Sequence, residues 1–120
     1  MSTTVTSATG YGLKIDKEAF TKATGLPTHY ADYYFDEDKQ PAGLFIQEVG
    51  FAGNEEHWIF VKSGYTKVYS GYSGNGNSAT LTSLNIDPTE FLDQHEELLN
   101  WMKEKGQTGT PAWCLVQYIN

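Results

Sequence analysis

Three histidines, one cysteine, paired carboxylates and a run of glycines are the residues of this chain with chemistry to offer. Gly71, Gly74 and Gly76 give G-x-x-G-x-G, the reverse of the dinucleotide-binding order, and no Gly-Lys-Ser/Thr follows as in a phosphate-binding loop. The next helix start is capped by Asp87, itself an anion, so no free helix N-terminus awaits a phosphate. A hairpin tip accounts for these glycines better.

His29, His57 and His95 stand in neither H-x-x-x-H nor H-E-x-x-H spacing, and no metal site is expected. A set of His29, Asp32 and Asp36 is the nearest approach to one, yet "DYYFDED" lacks the alternating aspartates and glycine of a calcium loop. His95 falls on the apolar face of a predicted helix and reads as half-buried with its polar edge satisfied. Cys114 lies in the apolar run "AWCLVQ", where a thiol behaves as a small hydrophobe. A pocket formed by His57, Cys114 and Glu48 at strand ends is the one enzymatic or small-molecule arrangement the spacing allows. Such a pocket requires hydrogen-bond reach among the three. Neighbouring acids such as Glu55/Glu56 and Glu96/Glu97 point different ways and read as surface charge. The expectation is no enzyme, no cofactor and no catalytic residues.

Tyrosines remain. Tyr33 and Tyr34, with Asp36, Glu37 and Asp38, crowd an acidic loop; Tyr65, Tyr69 and Tyr72 lie in "SGYTKVYSGYSGNGNSATL". Tyrosine among Ser, Gly and Asn is a paratope-like composition, giving contact area at low entropic cost. These eight residues are the candidate protein contacts. The competing reading lays the tyrosines along a sheet with wet hydroxyls.

The elements that must position these groups fit one domain of 120 residues, 39% hydrophobic and 14% aromatic, enough for a core. Residues 1–10 are rich in Ser and Thr and predict a mobile tail or an edge strand; residues 11–120 form the domain. A short strand over 11–15 is followed by a helix that Asp16 caps and Gly25 ends. Strands over 44–51 and 57–62 make a hairpin, the second running mid-sheet, and 65–69 and 79–86 extend the sheet. A second helix starts at Asp87-Pro88-Thr89-Glu90, in the manner of a capping box. Its expected apolar face is Phe91, Leu92, His95, Leu98, Leu99 and Met102. A final strand follows from Pro111. Trp58, Phe60 and Trp113 are expected in the core. The class is α+β: two layers, an antiparallel-rich sheet of four to six strands, two helices on one face. That order suits a ferredoxin-like split βαβ arrangement.

The formal charge is −7, and all eight cations are lysines. Lack of arginine with an acidic total argues against nucleic acid. The acids cluster: residues 32–56 hold seven with one lysine, and 87–97 hold five with none. A single cysteine excludes an intrachain disulfide and suits a reducing compartment. No apolar run is long enough to span a bilayer. The first ten residues lack the features of a secretory signal or an Arg-rich transit peptide, so cytoplasm is the expected location and membrane is not an expected partner.

In general character the chain is similar to accessory proteins of phages and mobile elements, which often bind a host or defence protein. It is small and acidic, with a tyrosine-rich loop and no catalytic constellation. No motif carries that likeness. The leading expectation is a protein-binding module, in its sharpest form an inhibitor, whose acidic loop meets a basic surface on its partner. A structural, virion-like subunit is the other non-enzymatic alternative.

Overall fold

A computed structural model describes residues 5–30, 41–50, 55–70 and 86–119 of the chain. The elements run β1 (Val5–Lys14), α1 (Lys17–Thr24), β2 (Leu44–Val49), β3 (Glu56–Val61), β4 (Thr66–Ser70), α2 (Pro88–Glu104) and β5 (Ala112–Ile119). This is the expected α+β order. All strand pairings are antiparallel.

β1 is the centre of the sheet. β5 pairs along one side of it, from Val5↔Ile119 to Gly12↔Ala112. β3 and β4 share its other side, β3 against Gly12–Lys14 and β4 against Val5–Thr9. Between these two registers only Gly10 and Tyr11 of β1 face residues 61–65. β3 and β4 therefore act as one long strand interrupted by a bulged excursion, in which Gly64 takes φ 78°. β2 pairs outside β3. β1 and β2 thus bracket β3, as a split βαβ unit requires.

The N-terminal segment corrects an expectation. From Val5 to Thr9 it is neither tail nor edge but the middle of the sheet, paired on both sides. The short strand expected at 11–15 is only the end of this longer one.

Alternation along β1 sorts its two faces. Leu13, with Ile15 just beyond the strand, points to the helices, joined by Leu44, Ile59 and Val61. Phe20 of α1 and Leu98, Trp101 and Met102 of α2 close this core. Both described helices lie on this face. The opposite face carries a second cluster, Val49, Phe60 and Val116, flanked by Phe45, Trp58, Tyr65 and Cys114. Here β1 contributes Ala8, Gly10 and Gly12. A Cβ at Gly10 would sit 3.1 Å from both Phe60 Cδ1 and Tyr65 Cδ2, so those rings occupy the space above the small residue.

The helix ends follow their sequence signals. Asp16 Oδ1 accepts from Ala19 N (3.1 Å), and Gly25 ends α1 in the left-handed region at φ 75°. Asp87 Oδ1 accepts from Thr89 N and Glu90 N. The capping box is only half made, because Glu90 Oε1 accepts from Gln94 Nε2.

Of the predicted face of α2, Leu98 and Met102 are buried and Phe91 and His95 half-buried, while Gln94 and Trp101 join the buried face unforeseen. Leu92 and Leu99 are exposed. Each lies one residue from a buried or half-buried neighbour, about 100° round the helix. Gln94 is buried because its Oε1 accepts from Ser63 N (2.7 Å), tying α2 to the β3–β4 excursion.

Gln107 ties the two helices together. Its Oε1 accepts from Asp16 N (2.7 Å), and its Nε2 donates to Asp16 O (3.1 Å) and Lys105 O (3.0 Å). The side chain is buried. Gln107→Ala strands the Asp16 amide at the start of α1 and is expected to destabilise by about 1–3 kcal/mol. Urea unfolding should show a lower midpoint with unchanged slope. An unmoved midpoint would show that the tie carries no stability.

Candidate functional site

Two features stand out among the described residues: a polar cavity at one end of the sheet and an apolar shoulder at α2 and β5.

The cavity holds about 370 Å³ and is lined by Lys17, Thr28, His29, Glu48, Glu55 and His57. α1 supplies Lys17 from its first residue, and the segment after α1 supplies Thr28 and His29. Register places Glu48 of β2 directly opposite His57 of β3. Cross-strand neighbours share a face, and Glu48 Oε2 lies 3.6 Å from His57 Nε2. His57 is 3% exposed, whereas Glu48 reaches solvent. Lys17 Nζ donates to Glu55 O, fixing the cavity's rim. A lysine, two histidines and two carboxylates around one cavity suit a small polar molecule held by hydrogen bonds. No three His, Cys, Asp or Glu side chains among the described residues are arranged to hold a metal ion.

Cys114 does not join this site. It pairs with Gly10 on the β5 side of β1 and belongs to the cluster on the face away from the helices. His57 O accepts from Ile15 N, five residues further along β1, which is on the order of 17 Å of strand. The three-residue pocket of His57, Cys114 and Glu48 therefore splits, leaving only the His57–Glu48 pair. The Cys114 thiol donates to Ala112 O (3.2 Å), and burial pushes it up from the ordinary thiol range. That is the opposite of an activated nucleophile.

His95 behaves as expected: half-buried, with Nε2 3.3 Å from the Tyr11 hydroxyl and its ring stacked on Phe91. His29 is exposed beside Tyr30.

Of the predicted contacts, Tyr33, Tyr34, Asp36, Glu37, Asp38 and Tyr72 lie outside the described residues, as do Gly71, Gly74 and Gly76. Tyr69 lies in β4, paired with Thr6. Tyr65 is half-buried, edge-on to Phe45 at 4.2 Å, and donates its hydroxyl proton to Gln47 Oε1 (3.2 Å). Much of its ring therefore serves the fold.

The shoulder was not visible as such in the sequence. α2 packs over β2 and β3, so β5 extends past it. Trp113 and Leu115 point to the helix side of β5 and are 50% and 66% exposed. Trp113 was expected in the core. Instead it is half exposed, stacked on Phe91 at 5.9 Å and edge-on to Tyr11. Leu92 and Leu99 share one flank of α2, seven residues apart, and are 63% and 45% exposed. The available signal was the helical wheel, which sets both leucines beside the Leu98 face, and the i, i+2 spacing of Trp113 and Leu115.

No helix among the described residues is long and apolar enough to cross a membrane. Compared with protein-family models, curated proteins and solved structures, the chain matches none of them.

Proposed function

We propose that this chain is a protein-binding module whose contact face is the α2–β5 shoulder. The observation that carries the reading is Trp113, stacked on Phe91 and half exposed, with Leu115 beside it on the same strand face. Tryptophan is a frequent energetic anchor of interfaces, and a cluster of exposed apolar groups marks interaction surfaces more often than a scattered one. A ring already fixed against Phe91 loses little entropy on docking, which favours contact.

A photo-crosslinking side chain at position 115 tests the proposal in an extract of the source cells. A protein adduct of discrete mass is expected, and Trp113→Ser should remove it while the circular dichroism stays unchanged. Twice the chain mass identifies self-association; another discrete mass identifies a different partner. No discrete adduct would sink the reading.

A further inference from the structure

Resting on that protein-binding reading of the shoulder, we propose that its partner is a second copy of this chain, docked about a two-fold axis.

Charge is the first argument. Copies carrying −7 repel wherever acids are in excess. Among the described residues the shoulder is close to neutral. β5 contains no Asp, Glu or Lys, and the flank of α2 that carries Leu92 and Leu99 adds one exposed acid, Glu96, and one exposed base, Lys103. The other side of α2 carries Glu90, Asp93 and Glu97. A strongly basic foreign protein would be drawn there rather than to the shoulder.

Self-complementarity is the second argument. In a two-fold interface residue i meets j while j meets i. Glu96 and Lys103 lie three residues before and four after Leu99, on the same flank. Two α2 helices packed antiparallel about Leu99 bring Glu96 of each copy to Lys103 of the other, twice per dimer. Neither side chain has an ion-pair partner among the described residues. The antiparallel packing also opposes the two helix dipoles. Leu92 and the exposed side of Trp113 border this contact.

Size sets the strength. Four exposed apolar side chains with a polar rim make a small contact, in the class of weak, transient interfaces. The dimer is therefore micromolar rather than nanomolar.

Sedimentation equilibrium of the purified chain between about 1 and 200 µM tests this. The mass should rise from 13.4 kDa toward twice that value. Glu96→Lys and Lys103→Glu should each weaken dimerisation about tenfold, because like charges then meet at two symmetric places. The double variant should return to within about threefold of the parent. Glu96→Lys also reduces the net negative charge, so general repulsion alone predicts tighter association; weaker association reads the local pair. A monomer throughout the range overturns the proposal. So does a dimer indifferent to the charge exchange. In either case a crosslink from position 115 to another protein would leave the protein-binding reading standing, and its absence would remove both.

Discussion

Alanine at position 12 is expected to cost about 3 kcal/mol or more, at or above the upper end of ordinary overpacking. In a domain of this size that lowers the melting temperature by roughly 10–20 °C. A Cβ there would collide with the carbonyl oxygen of Ile59 and lie 2.9 Å from Phe60 Cα. Both obstacles are backbone, so relief requires parting β1 from β3, the pairing that joins the two halves of the sheet. Gly10→Ala is the control. Its Cβ meets only the Phe60 and Tyr65 rings at 3.1 Å, and side chains can yield by a few tenths of an ångström. Thermal melts should therefore rank Gly12→Ala far below Gly10→Ala. Equal melting of the two would mean that β1 and β3 are not in the close contact described.

Those glycines also explain which parts of the fold were legible. Both helices announced themselves through local chemistry: Asp16 and Asp87 as caps, Gly25 as a stop, Pro88 at the first helical position. β2 and β3 carried apolar runs with a turn between them. The N-terminal strand carried a weaker signal: residues 11–15 and an optional edge strand before them were legible, but Ala8, Gly10 and Gly12 gave no sign that the strand runs through the middle of the sheet. Their smallness is complementary to rings roughly fifty residues away, and local pattern holds no record of that. The same limit applied to the sites. Glu48 and His57 were legible as candidates because each stands in a strand whose partner was foreseen. Excluding Cys114 needed the β1–β5 register, which assigns its face. Leu92 and Leu99 were assigned inward because hydrophobic periodicity counts leucines and discounts Gln94, whose hydrogen bond to Ser63 N makes it the buried residue. The shoulder thus became visible only once the position of α2 over β2 and β3 showed how far β5 runs beyond it.

Phe60→Ala is expected to destabilise by about 3–5 kcal/mol, the usual cost of removing a buried ring. Phe60 is fully buried on the face opposite the two described helices. It lies between Trp58, stacked at 6.2 Å, and Phe45 and Tyr65, at 5.9 and 5.4 Å. The ring covers Gly10, so truncation opens a cavity above a residue that has no side chain to fill it. Against a total of about 5–15 kcal/mol, a large fraction of the stability goes. Chemical denaturation reads it directly, and a loss below about 1 kcal/mol would contradict the packing described. This bears on the tyrosines. Tyr65 belongs to the same aromatic layer, so Tyr65→Ser removes packing as well as any contact surface. Tyr65→Phe keeps the ring and removes the hydrogen bond to Gln47, worth about 1 kcal/mol. Loss of partner binding in Tyr65→Ser with retention in Tyr65→Phe would trace to the ring, and only an unchanged melt would assign that ring to the partner rather than to the sheet.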